Sequence, residues 1–198
     1  MAKVKLTKNE LKTQKDSLKR FTRYLPTLQL KKQQLQMVIR QVESQIEDKK
    51  KEIAKYEDTL SDWISVFGEE VGLDDLINIR EIEKDMGNIA GVDIPVFKKL
   101  EFEPVLYNLF EMPLWVDQGV VTMKELAALN AEIEVLLEQK RLLDDELRTT
   151  TQRVNLFEKV KIPETKDVIR KIGIYLGDQQ TAAVVRGKMA KGKVVKVS

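Results

Sequence analysis

The 198-residue chain contains no cysteine and no histidine. Without cysteine there is no disulfide, no thiol nucleophile and no thiolate metal site, which fits a reducing compartment. Without histidine the usual general base, the Ser-His-Asp arrangement and the commonest zinc ligand are all missing. Most routes to an enzyme are therefore closed, and no catalytic residue, metal or cofactor is expected. Proline (5) and glycine (9) are scarce, so few positions interrupt a helix. No stretch approaches the roughly 20 apolar residues that a membrane-spanning helix needs. The basic N-terminus has no apolar run behind it and does not read as a signal peptide. Neither GxGxxG nor GxxxxGK[ST] occurs, so the glycines form no phosphate loop.

What is present is charge, 33% of the chain, unevenly placed. Residues 1–32 hold ten Lys and Arg against Glu10 and Asp16. Residues 186–198 hold Arg186, Lys188, Lys191, Lys193 and Lys196 with no acid. Residues 33–185 carry 19 bases against 30 acids, so both ends are basic and the middle is acidic. Solubility and a frayed tail account for one such end; a matched pair is harder to dismiss and suits a partner of opposite charge.

The second feature is a seven-residue repeat. Leu11, Gln14, Leu18, Phe21, Leu25, Leu28, Lys32, Leu35, Ile39, Val42, Ile46, Lys49, Ile53, Tyr56, Leu60 and Trp63 follow one another in steps of 3 and 4. A repeat sustained this long predicts a left-handed coiled coil about 80 Å in length. Lys32 and Lys49 interrupt the seam, their stems lying on apolar surface with the ammonium in water. Pro26 falls inside the repeat without breaking its register. A helical proline costs about 3 kcal/mol, while each buried seam residue contributes about 1.5–3 kcal/mol. The expectation is one helix with a bend or loosened turn at Pro26, the alternative being a separate short helix over 7–24 and a long helix that begins after Pro26.

A second helix shows the same spacing. Thr122 and Glu125 form a capping-box pattern. Leu126, Leu129, Ile133, Leu136, Lys140, Leu143, Leu147, Thr150, Val154 and Phe157 then form the seam, with Glu138 and Asp144 flanking Lys140 as its expected partners. Pro163 marks another candidate kink. Ile162, Ile169, Leu176 and Ala183 keep a seven-residue step beyond it, with Ile172 alongside. The helix is expected to continue to about residue 188, followed by a loose basic tail. Leu30, Met37, Val38, Val135, Leu137, Leu142 and Leu156 lie off the seams, as scattered surface groups or as ground for a further partner.

Between the helices, Gly68, Gly72, Gly87, Gly91 and Pro95 break the pattern. A short helix is predicted over 73–85. One strand is predicted through Ile94, Val96, Leu100 and Phe102, and another through Val105, Tyr107 and Leu109. Asp74, Asp75, Glu81, Glu83 and Asp85 lack calcium-loop spacing and read as a solvated face.

The fold expected is mainly α: a long antiparallel two-helix left-handed coiled coil with a small α+β insert, a short hairpin, at the end opposite the termini. Its segments are an N-terminal helix over 1–64, the insert over 65–121, a C-terminal helix over 122–188 and a flexible basic tail over 189–198. Both termini then meet at one tip and bring the basic ends together.

Three stretches carry a resemblance: LTKNELKTQKDSLKRF at 6–21, LPTLQLKKQQLQ at 25–36, and TTQRVNLFEKVKIPETKDVIRKI at 150–172. They resemble the D subunits of the V-type and A-type ATPases and ATP synthases, the central rotor shaft. The family motif falls on Arg153, Val154, Asn155, Leu156, Phe157 and Glu158, then Ile162 and Pro163. The resemblance implies a non-catalytic component of the central stalk, cytoplasmic and peripheral to a membrane. The implied partners are the catalytic A and regulatory B subunits of the ATPase hexamer, the small F protein of the central stalk and a ring-capping protein. It implies neither nucleic-acid binding nor membrane insertion. From the residues alone, a coiled-coil scaffold or a two-helix chaperone remains the alternative reading. A scaffold or tether self-associates through its seam, whereas a shaft is monomeric or present as one copy in a larger complex.

Overall fold

The computed structural model describes residues 5–61, 76–105, 112–113 and 115–197, with the side chains of 61 and 194–197 left aside. The elements are α1 (Lys8–Ser61), β1 (Ile79–Ile89), β2 (Val92–Phe102), α2 (Val116–Asn155), a π-helical turn (Leu156–Lys161) and α3 (Ile162–Val197). The fold is mainly α, with two long helical stretches packed together and a small β-hairpin. The chain divides into two compact units, residues 1–32 with 149–198, and residues 33–148. The division cuts across both helices rather than falling where helix meets insert.

In the 33–148 unit, α1 and α2 run antiparallel. Lys140 Nζ lies 2.8 Å from Glu43 and Lys49 Nζ 3.0 Å from Glu132, so partners descend along one helix as they ascend along the other. Leu35, Ile39, Val42 and Ile46 of α1 are buried with Leu136 and Leu143 of α2. Ile94 of β2 joins the same cluster, and Ile89, Ala90 and Val92 pack against it. The hairpin thus lies along the helices.

β1 and β2 pair antiparallel through a two-residue turn, Ala90–Gly91. Both turn residues have positive φ, 53° and 76°, which matches the right-handed twist of the flanking strands. The Asn88 side chain braces the turn: its Oδ1 accepts from Gly91 N–H at 3.2 Å and its Nδ2 donates to Asp93 at 2.6 Å. A second small cluster buries Leu76, Val116 and Val120 beside Ile77, Val105, Met112 and Trp115.

Three expectations are corrected here. Residues 79–85, read as the end of a helix, form β1. Their charged side chains pair across the ladder, Asp85 with Lys98 and Glu83 with Lys99, so the acidic cluster is partly a strand-pairing device. Val105 lies past the end of β2 rather than in a second strand, and the partner strand precedes β2. The second helix starts at Val116, six residues before Thr122, because Val116 and Val120 are buried in the small cluster. Thr122 sits inside the helix and its hydroxyl donates to Gln118 C=O at 2.9 Å. Trp63, Asp74, Asp75, Tyr107 and Leu109 lie outside the described residues.

In the other unit, α1 starts at a cap. Thr7 Oγ1 accepts from Glu10 N–H at 3.2 Å, and Thr7 C=O accepts from Leu11 N–H. The helix runs on through Pro26. Opposite it, Phe21 and Phe157 meet with ring centroids 5.2 Å apart. The π-turn follows at once, and Ile162 N–H donates to Phe157 C=O, five residues back. Its origin is a phase step. The seam reaches Phe157 in steps of 3 and 4, then resumes at Ile162, Thr165, Ile169, Ile172 and Leu176, again in steps of 3 and 4. From Phe157 to Ile162 is five residues where four would keep phase. A π-turn absorbs the extra residue and returns the apolar stripe to the same side. Thr165 and Ile172 are buried beyond it. α3 then continues to Val197, whereas residues 189–198 read from composition as a loose tail. No proline follows Pro163, and isolated glycines cost only about 1 kcal/mol each in a helix.

Candidate functional surface

The seam residues fall as follows. Leu11, Leu18, Phe21, Leu25, Leu28, Ile53, Tyr56 and Leu60 are half-buried, while Leu35, Ile39, Val42 and Ile46 are buried. Leu129, Leu136, Leu143 and Val154 are buried, with Ile133, Leu147 and Phe157 half-buried. Lys140 bonds across to Glu43 rather than along its own helix, and Glu138 instead takes two bonds from Arg141, at 2.9 and 2.6 Å. Glu43 holds the Lys140 ammonium above the ordinary lysine value, and Glu132 does the same for Lys49.

Of the off-seam apolar residues, Leu30, Met37, Leu137 and Leu156 are exposed, and Val38 and Leu142 are half-buried. Val135 is buried, because α2 carries a second covered face there. Together with Ile89, Ile94, Val96 and Phe97 it lines a groove of about 460 Å³ between the helices and the hairpin. Gln139, also buried, donates to Pro95 C=O at 2.6 Å. Proline offers no N–H to the ladder, yet its carbonyl ties the strand edge to α2. Gly87 is required beside it: a Cβ there would sit 2.9 Å from Val96 Cγ2. Val135 and Gly87 were legible only as an off-seam apolar residue and a helix-breaking glycine, and Gln139 did not stand out, since each acquires its role only from the docked hairpin.

The motif residues bracket the π-turn. Arg153 and Asn155 end α2 with exposed side chains, Glu158 lies in the turn, and Ile162 and Pro163 open α3. The unit of 1–32 and 149–198 holds 21 Lys and Arg against 6 Asp and Glu, and the 33–148 unit holds 13 against 26. Electrostatically, one is strongly basic and the other strongly acidic.

The antiparallel pairing at Phe21 and Phe157 sets where α1 gives out. Thirteen residues separate Phe21 from Lys8, the start of α1. The same distance beyond Phe157, with the extra residue, reaches about residue 171. Among the described side chains, Ile172 is the last buried one of α3. From Gly173 to Lys193 only Leu176 and Ala182 are even half-buried. A Cβ at Gly177, Gly187 or Gly192 would meet no neighbouring segment within 4 Å. This overhang exposes Ile174 (61%), Val185 (50%) and Met189 (62%), which share one face within about 60°. Arg186, Lys188, Lys191 and Lys193 are exposed around it and make no ion pair with a described residue. Lys196 lies in the last turn of α3. Among the described residues no His, Cys, Asp and Glu side chains gather into a metal-holding group, and no helix is long and apolar enough to cross a membrane.

An antiparallel helix pair with a hairpin folded against it in one unit, and a basic single-helix overhang in the other, place the chain among helical coiled-coil proteins. Comparison with known proteins names the family. The model of the ATP synthase D subunits matches residues 10–192. The V-type ATP synthase D protein of Borreliella burgdorferi is 51% identical, covering 99% of this chain and 97% of that one. Its namesake from Chlamydia abortus is 37% identical over 98% and 94%, and that from Chlamydia trachomatis serovar L2 is 35% identical over 98% and 97%. The chain belongs to the family of ATP synthase D subunits. It therefore has the general role that D subunits have in a V/A-type ATPase.

Proposed function

We propose that this chain is the central shaft of a V/A-type rotary ATPase. It couples ATP hydrolysis or synthesis in a hexamer of A and B subunits to rotation of a membrane ring that moves ions. The observation that carries this is the overhang of α3. Twenty-odd residues of single helix, with exposed Ile174, Val185 and Met189, are marginal in water and need a surrounding surface. A collar formed by the hexamer supplies one, and the exposed bases let the helix turn within it on many weak contacts. The far partners are the small F protein of the stalk and a ring-capping protein, and the chain is peripheral to the membrane and catalyses nothing. A scaffold reading would instead cover the overhang with a second copy.

The test is the composition of the native assembly. The complex is extracted in mild detergent, separated on a gradient, and weighed by native mass spectrometry. One copy of this chain with three each of two nucleotide-binding subunits is expected. A homodimer lacking those subunits overturns the reading.

A further inference from the structure

We propose that the helix pair of residues 8–32 and 149–172 carries a built-in joint, where Pro26 and the π-turn weaken the two helices on opposite sides of one aromatic contact. In α1, Pro26 has no N–H, so Thr22 C=O loses its helical partner, and the ring crowds that carbonyl. Thr22 adjoins Phe21, whose ring meets Phe157 at 5.2 Å. On the other helix, the π-turn Leu156–Lys161 begins at that same contact, and Pro163 follows two residues after it. The two interruptions thus flank one aromatic contact, each within about a turn of it.

The packing around the π-turn is also thin. No residue of the π-turn is buried, and Leu156 and Val160 are 44% and 48% exposed. Firm burial returns only at Val154 on one side and at Thr165 and Ile172 on the other. Sharp bends in helices concentrate at proline and at π-turns. A lone interruption is splinted by a long intact neighbour; here the neighbour is itself interrupted within about a turn and a half, so each splint is short. The tilted Phe21–Phe157 pair holds the joint together while letting it bend and twist, since aromatic contacts tolerate a range of offsets.

The phase step offers a clean test. Deleting Val160 removes the extra residue. Ile162, Thr165, Ile169, Ile172 and Leu176 then follow Phe157 in steps of 4, 3, 4, 3 and 4, so every buried group stays on the seam. Combined with Pro26→Ala and Pro163→Ala, the deletion yields two uninterrupted helices. Because the chain has no cysteine, paired labels can be introduced without background. Spin labels at Lys12→Cys and Leu30→Cys span the α1 side, and at Gln152→Cys and Lys171→Cys the other. A pair at Gln34→Cys and Lys51→Cys, on an uninterrupted stretch of α1, is the reference. Electron–electron resonance on the isolated full chain reads the distance distributions.

The two spanning distributions are expected to be at least twice as wide as the reference, and to narrow to its width in the triple variant. Hydrogen exchange of amides 23–30 and 158–168 should slow at least tenfold in parallel. Spanning distributions as narrow as the reference, or unchanged in the triple variant, overturn the proposal. Should the triple variant not fold, Pro26→Ala alone with the α1 pair decides on the same criterion. The readout needs no rotary complex, so it fails or succeeds separately from the shaft reading. If that reading holds, the joint lets the overhang stay seated in its collar while torque arrives unevenly through the rest of the chain.

Discussion

Lys140 Nζ lies 2.8 Å from Glu43 Oε1, and Lys49 Nζ lies 3.0 Å from Glu132 Oε2. Each lysine occupies a seam position of its own helix and reaches the facing helix. A lysine in an apolar seam weakens packing but disfavours alignments that take it away from its facing carboxylate. These two pairs set the alignment of α1 against α2. Glu43→Lys is expected to lower the thermal midpoint, and adding Lys140→Glu to restore most of it. Failure of the double swap to recover more than the sum of the single changes would show that the pair does not set register.

The same pairs give an alkaline limit. Hydrogen bonds to Glu43 and Glu132 hold the Lys140 and Lys49 ammonium groups above the ordinary value of 10.5. A base raised on folding stabilises fully below its unfolded value, and that contribution is lost as pH rises through the folded value. Stability should therefore be insensitive to these pairs between pH 7 and about 9.5, then fall more steeply than in the Lys49→Met, Lys140→Met variant. Parallel curves for the two proteins in urea titrations across this range would contradict it.

Gly87→Ala should destabilise the hairpin. Its Cβ would come within 2.9 Å of Val96 Cγ2, and a β-branched side chain on a strand has little room to turn away. Overpacking costs about 1–3 kcal/mol, while the alanine recovers up to about 1 kcal/mol of backbone entropy. A net loss of about 1 kcal/mol is expected, with Val96→Ala relieving the clash. Urea denaturation of the single and double variants checks this, and a gain in stability for Gly87→Ala would show that the strand shifts freely.

Ile94 and Gln139 hold the hairpin to the helices by different means. Ile94 is 2% exposed, and Ile94→Ala should cost about 2–5 kcal/mol. Gln139→Leu leaves Pro95 C=O without its partner and should cost about 1–3 kcal/mol. Both should speed hydrogen exchange across Ile79–Phe102 more than across Leu35–Ile46. Equal acceleration in both regions would mean the hairpin and helices unfold as one.

On the proposed shaft reading, neutralising Arg186, Lys188 and Lys191 to glutamine should slow association with the A and B hexamer about tenfold at low salt and flatten its salt dependence, with little change in dissociation. The reading is that these exposed groups act through long-range attraction rather than fixed ion pairs. Stopped-flow association at two ionic strengths measures it. An unchanged rate would leave them without that role.

The helices were legible because their cause is local. A seam at steps of 3 and 4 needs only the chain's own periodicity, and it names both faces before any partner is known. The cap at Thr7 has the same Thr-x-x-Glu pattern as Thr122 and Glu125 but was not read from sequence, and where a kink was expected at Pro163 the structure has a π-turn just before it. The choice between the two capping patterns was not local. Thr122 carries the signal, yet burial of Val116 and Val120 extends the helix past it, since a few buried side chains outweigh one cap.

β1 was hidden for a related reason. IREIEKDMGNI has the charged, helix-tolerant composition of the flanking segments. Its conformation comes from pairing with β2, whose lysines face its acids. Val135 and Gln139 look like surface positions until Ile94 arrives from 41 and 45 residues upstream to cover them. Periodicity therefore decides which residues face a neighbouring helix. Which further faces are covered depends on contacts between distant parts of the chain, whose energy appears in no short window of residues.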